Sequence, residues 1–140
     1  MIRKLKETDL DQVVGIWLNE NLKAHDFISK KYWKNNLETV KNMLPEAEVY
    51  VYEEKNVIWG FIGLTHDFIS GIFISSNRQS AGVGKQLLDY AKSRKSKLSL
   101  NVYQKNERAI QFYKREEFKI MSESMDVNTG EMEYFMMWNL

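Results

Sequence analysis

One stretch of this chain has the residue types of an anion cradle: Gln79-Ser80-Ala81-Gly82-Val83-Gly84-Lys85. Small side chains let successive backbone N–H groups come close to an anion, and the unpaired donors of a helix start add the positive end of its dipole. A diphosphate suits such a loop. It is not a nucleoside-triphosphate loop, because Lys85 is followed by Gln86 and not by Ser or Thr. Nor is it the dinucleotide fingerprint, which needs three glycines. Tight packing at a helix start is the plainer use of Gly82 and Gly84, and both readings stay open at this level. The chain has no cysteine, which removes disulfides, thiolate metal sites and any route that rests an acyl group on a thiol. His25 and His66 are too isolated to suggest a metal cluster, and no metal is expected.

Such a loop needs a strand before it and a helix after it. Residues 70–75 contain Ile72-Phe73-Ile74 and read as the strand. Gly82, Val83, Leu87, Leu88 and Ala91 make one helical face, ended by cations around residues 93–97. Residues 97–103 alternate Leu98, Leu100 and Val102 against Ser99, Asn101 and Tyr103, a strand pattern, and Asn106 caps a short helix through Arg115. Upstream, residues 2–6 read as a strand, and Thr8 with Asp11 opens a helix whose stripe is Leu10, Val13, Val14, Trp17 and Leu18. A polar connector is expected over residues 19–26. Ser29 then caps a second helix with the face Trp33, Leu37, Val40 and Leu44, stopped by Pro45. From Glu48 the period changes to two, with Val49 and Val51 against Tyr50 and Tyr52; the turn Glu54-Lys55-Asn56 follows and residues 57–64 form the antiparallel partner, while residues 118–125 and 132–138 close the chain as a hairpin about Asn128-Thr129-Gly130.

At 140 residues, with 44% hydrophobic and 28% charged residues, one globular domain spanning residues 1–140 is expected. The formal net charge of +1 provides no global field for a nucleic acid. The opening residues lack the apolar run of a signal peptide and no stretch is long enough to cross a bilayer, so the expectation is a cytoplasmic protein without a membrane partner. Monomer and homodimer are both compatible with the sequence.

With these elements in place, the sequence resembles the GNAT superfamily of acetyltransferases. The family's signature is Gln or Arg, two residues, Gly, any residue, then Gly or Ala, and Gln79, Gly82 and Gly84 match it. A second signature is matched by the strand ending at Tyr103 and then Asn106, Ala109, Phe112 and Tyr113. Similarity to small bacterial members extends through His25-Asp26-Phe27, Tyr32, Asn101-Val102, Gln104 and Phe112-Tyr113-Lys114, and covers essentially the whole chain. One departure is plain: the family usually ends this helix with Gly-Phe, and here Glu117 precedes Phe118. A non-glycine at a left-handed C-cap costs on the order of 1 kcal/mol.

The resemblance implies an α/β fold whose mixed, mostly antiparallel sheet of six to seven strands is splayed at the cofactor site, with helices on both faces. It implies transfer of the acetyl group of acetyl-CoA directly to a primary amine, on a protein or a small molecule. It places the pyrophosphate on residues 79–85, the pantetheine on the backbone of Phe73 and Ile74, the cofactor arm on Asn106, and the proton donor to the departing thiolate on Tyr113. A phenol of pKa ~10 can serve a thiolate of pKa ~8.5; the plainer reading of Tyr113 is a helix tyrosine packed beside Phe112. His25, Phe27 and Tyr103 are the candidates on the acceptor side, where a surface histidine and aromatic core are the plainer readings. Because residues 70–75 hold no carboxylate base, a non-catalytic acyl-CoA-binding regulatory module is the alternative, and plain nucleotide binding ranks last.

Overall fold

The computed structural model describes residues 1–79 and 81–140, so the expectation for Ser80 lies outside the described residues. Seven strands form one sheet in the order β1-β2-β3-β4-β5-β7-β6. They are β1 (Ile2–Lys4), β2 (Glu48–Glu54), β3 (Val57–Thr65), β4 (Phe68–Ile74), β5 (Lys97–Tyr103), β6 (Lys119–Met125) and β7 (Met132–Asn139). Every neighbouring pair is antiparallel except β4 and β5. The period-two alternation read in residues 48–64 sorts side chains to two faces. Val49, Val51 and Phe61 pack with α1 (Leu10–Ala24) and α2 (Lys30–Asn35), whereas Tyr50, Tyr52, Ile62 and Leu64 pack with α4 (Val83–Lys92) and α5 (Glu107–Arg115). The mixed sheet with helices on both faces is therefore as expected.

Several boundaries differ, each for a physical reason. Thr8 does not cap α1. A 3-10 turn, Glu7–Asp9, comes first, and the Asp9 carboxylate accepts the Lys6 N–H at 2.7 Å while Arg3 donates to both its oxygens at 2.7 and 3.0 Å. A charge-assisted, two-pronged pair outcompetes a hydroxyl cap. The connector expected from residue 19 is helical through Ala24, because Glu20 and Asn21 are buried with their polar atoms satisfied.

Ser29 does cap α2, accepting the Lys31 N–H at 3.2 Å, but the expected second helix is broken at Asn36 into α2 and α3 (Leu37–Met43). The Asn36 amide donates to the Tyr32 carbonyl at 2.7 Å, competing with the helical bond of its own backbone. Lys55 and Asn56 both take positive φ, 51° and 65°, giving the tight two-residue turn between β2 and β3. The terminal hairpin folds inward, so that β7 and not β6 pairs with β5.

Candidate active site

The sheet opens at its one parallel pair. β4 and β5 are in register only at Phe68 opposite Ser99 and Ile69 opposite Leu100. Immediately afterwards Leu64 of β3 faces Ile69 while Gly63 faces Gly71, which leaves Ser70 as a bulge on β4. A bulge bends its strand and increases the local twist. β4 then follows β3 out to Ile74, β5 follows β7 to Tyr103, and their facing edges diverge.

A cleft of ≈ 810 Å³ lies at this divergence, with Phe73 and Ile74 on the β4 wall and Asn106, Phe112 and Tyr113 on the α5 wall. Phe73 stacks on Phe61 at 5.2 Å and folds back over Gly71, where a Cβ would run into its ring. At the α4 end, Gly82 has φ 82° and forms the N-cap of the helix. The first helical bond runs from the Gln86 N–H to the Gly82 carbonyl at 3.1 Å, so the N–H groups of Val83, Gly84 and Lys85 have no acceptor within α4. The Ala81 N–H is taken by the Arg78 carbonyl at 3.3 Å. Val83 turns its side chain into the core, while Gly82, Gly84 and Lys85 line the cleft. Among the described residues, six basic and three acidic side chains line it, so a chain of net charge +1 concentrates positive charge in this cleft.

Tyr113 is 8% exposed, set between Phe112 and Phe118 at ring distances of 5.2 and 5.5 Å, and lines the cleft. Burial pushes its phenol above the usual range, so it holds its proton at neutral pH. The helix that carries it is capped at both ends. Asn106 Oδ1 accepts the Ala109 N–H at 3.3 Å, and beyond the C-terminus Phe118 N–H donates to the Tyr113 carbonyl and Glu117 N–H to the Lys114 carbonyl, at 2.9 and 3.0 Å. This is a Schellman closure with Glu117 at φ 73° in the left-handed position. The anticipated departure from glycine is real, and the helix still ends there.

The acetyltransferase (GNAT) domain family matches residues 45–120. Over 140 residues, 99% of this chain and 96% of the relative, the sequence is 31% identical to the peptidyl-lysine N-acetyltransferase YiaC of Escherichia coli (strain K12). This chain belongs to the GNAT acetyltransferase family. The apo solution structure of YjaB from Escherichia coli superposes with a TM-score of 0.88 at 29% identity, covering 99% of this chain and 96% of that one. The PaiA N-acetyltransferase of Thermoplasma acidophilum, solved in complex with coenzyme A, shares the fold at a TM-score of 0.81 and 17% identity, covering 100% and 98%. The chain is thus an acetyltransferase, and the alternative of a non-catalytic acyl-CoA-binding module is set aside.

On the opposite wall of the acetyltransferase cleft, His25 follows α1 and is half-buried. It stacks on Trp33 at 5.4 Å and meets Tyr103 and Phe27 edge-on at 5.0 and 5.7 Å. Burial lowers its pKa to about 4. Tyr103 donates to Asp126 Oδ2 at 2.7 Å, and Phe27 and Tyr103 pack edge to face at 5.7 Å. The three acceptor-side candidates therefore form one cluster with Trp33.

Sequence reasoning missed two residues at the cleft. Glu20, 8% exposed, accepts from the Ser76 N–H at 3.2 Å, from Ser76 Oγ at 2.9 Å and from Gln79 Nε2 at 2.8 Å. Arg108 donates to Gln79 Oε1 at 2.9 Å, and Gln79 Nε2 also reaches the Ile74 carbonyl at 3.0 Å. The Gln79 side chain is thus a tie between α1, β4 and α5. A signal for Glu20 existed: it follows Trp17 at helical spacing on the stripe begun by Val13, Val14 and Trp17, where a carboxylate stays only if it has partners.

Proposed function

We propose that this acetyltransferase is a single domain that moves the acetyl group of acetyl-CoA onto a lysine side chain of a protein, in a ternary complex, with Tyr113 as the general acid. The observation that carries the reading is one cleft with the amides of residues 83–85, which have no acceptor within α4, at the start of that helix and the buried phenol of Tyr113 on α5, on either side of the opened β4–β5 pair. The diphosphate would take the amides, with Gly82 and Gly84 allowing close approach. The pantetheine would run along the unpaired β4 edge at Phe73 and Ile74, and Asn106 would hydrogen-bond it. Lysine as acceptor is supported by YiaC and by the similar YjaB of Escherichia coli, both named peptidyl-lysine N-acetyltransferases.

The neutral amine attacks the thioester carbonyl, the C–N bond forms and the C–S bond breaks. Tyr113 gives its proton to the sulfur, and the proton lost by the nitrogen returns through solvent to the phenolate. The apolar wall of Phe112 and Phe118 that keeps the phenol protonated also raises the basicity of a thiolate expelled beside it, so burial lifts both partners together. No acyl-enzyme on a thiol is available to a chain without cysteine.

The test is acetyl transfer to a lysine peptide, followed by thiol release, in wild type and Tyr113→Phe. A fall in kcat of at least about 100-fold with nearly unchanged acetyl-CoA affinity is expected. Equal kcat values would remove Tyr113 from the chemistry, and transfer to free small amines alone would remove the protein acceptor.

A further inference from the structure

α1 and α5 pack on opposite faces of the sheet, yet a pair of side chains joins them. His25, at the C-terminal end of α1, sets Nε2 at 3.1 Å from Asn106 Nδ2 and Nδ1 at 2.9 Å from Asn21 Oδ1. Since both His25 and Asn106 line the cleft, their contact bridges it where β4 and β5 part.

The outer ends of this chain decide where its protons sit. Asn106 Oδ1 accepts the Ala109 N–H at 3.3 Å, which assigns the amide nitrogen of Asn106 to the histidine side. Asn21 Nδ2 donates to the Trp17 carbonyl at 2.8 Å, which assigns the Asn21 oxygen to the histidine side. His25 Nε2 must then accept and Nδ1 must carry the hydrogen, a neutral ring in a single tautomer. Its enclosure by Trp33, Tyr103 and Phe27 favours the same uncharged form.

A ring so placed is a poor base for the acceptor amine, because its one lone pair is already committed to Asn106. We propose that His25 is a positioning residue: it locks the Asn106 carboxamide so that the second Nδ2 hydrogen faces the cleft and is offered to a carbonyl of the pantetheine arm. This rests on the reading of the cleft as the acetyl-CoA site. It moves His25 from the acceptor to the cofactor, although it stands on the acceptor wall, and it accounts for a half-buried histidine with no ion pair among the described residues.

The variants separate hydrogen bonding from packing. His25→Phe keeps an aromatic ring against Trp33 and Tyr103 but offers Asn106 no acceptor. His25→Gln places a carbonyl oxygen near the site of Nε2 and restores one. Calorimetric titration with acetyl-CoA at neutral pH is expected to show His25→Phe binding about tenfold more weakly than wild type, with His25→Gln within about threefold of wild type on the same hydrogen-bond scale. Lysine-peptide KM should move little in either. Equal affinity in wild type and His25→Phe, or a glutamine variant no better than phenylalanine, would overturn the assignment. Independently of any variant, nitrogen-15 spectra of the wild-type ring should show Nδ1 protonated and Nε2 bare at neutral pH, and a Nε2–H tautomer would refute it. Wild type that fails to bind acetyl-CoA overturns the reading of the cleft along with this inference, whereas tight wild-type binding with an indifferent phenylalanine variant removes only the role of His25.

Discussion

The α4–α5 side of the cleft is shaped by backbone devices close in sequence, a left-handed glycine before α4, an asparagine cap and a Schellman closure on α5. The α1 side is shaped by side chains that reach across the chain: Glu20 to Ser76 and Gln79, 56 and 59 residues away, and His25 to Asn106, 81 residues away. The contrast shows that one side can form as its own helices form, while the other exists only after the sheet has brought the parts together. It follows that perturbing the first should change local geometry by modest amounts. Perturbing the second should leave buried polar groups without partners, which is costlier.

The largest effect expected is on stability against pH, through His25. Its folded pKa is depressed by burial to about 4 from 6.5. Between those values the unfolded chain binds a proton that the folded chain refuses, so stability is lost as pH falls from about 6.5 to about 4 and His25 contributes nothing further above that window. The loss at the lower end amounts to about 3 kcal/mol. Carboxylates titrate in the same range, so the quantity to measure is the difference in urea midpoint between wild type and His25→Phe at pH 7 and at pH 4.5. A difference that does not change with pH would mean that His25 is not sequestered.

Next comes Glu20→Ala, which leaves the Ser76 N–H and hydroxyl without this acceptor and removes one of the two acceptors of Gln79 Nε2, in a partly buried position. A loss of about 2 kcal/mol is expected, together with a raised KM for acetyl-CoA and an unchanged KM for the lysine peptide. If both KM values rose equally, Glu20 would support the fold at large and not the loop.

These two residues also mark where the sequence stopped being readable. The strand over residues 97–103, the Asn106 cap, the loop and the helix after it were all legible, because each depends on neighbours a few residues away. The family signatures at Gln79, Gly82, Gly84 and Tyr113 lie in that same stretch. The burial of His25, the bridging role of Gln79 and the insertion of β7 between β5 and β6 were not legible, since each depends on which distant segments become neighbours. Thr8 misled for a different reason: the competing carboxylate, Asp9, is held by Arg3 of β1 only six residues away, a local pair that the capping pattern alone does not reveal.

A smaller effect is expected from Gly82→Ala. At φ 82° an added Cβ meets no atom of the described residues within 4 Å, so the left-handed backbone is the penalty that counts. That costs about 1 kcal/mol. Acetyl-CoA affinity should fall with it if the proposed diphosphate site is correct, because a methyl group would then stand in the path of the ligand. An alanine variant of full affinity would show that the ligand does not come close to this residue.

The smallest effect is a gain, and it tests whether the α4–α5 side is as local as the comparison implies. Glu117 occupies the left-handed position of the Schellman closure that follows α5, at φ 73°, where a glycine has no Cβ to strain. Glu117→Gly should raise stability by about 1 kcal/mol, or about 3 °C in Tm for a chain of this size. Removing a negative charge near the negative end of the helix would also help, by a few tenths of a kcal/mol, so Glu117→Ala is the necessary control: it removes the charge and keeps the Cβ. Glycine should gain clearly more than alanine. Because the two closing bonds, from Phe118 to Tyr113 and from Glu117 to Lys114, are made by the backbone alone, Tyr113 keeps its place in both variants and kcat should be unchanged. A glycine variant that is more stable but slower would mean that the strain at residue 117 helps to hold the phenol, and that this side of the cleft is not built by local devices only.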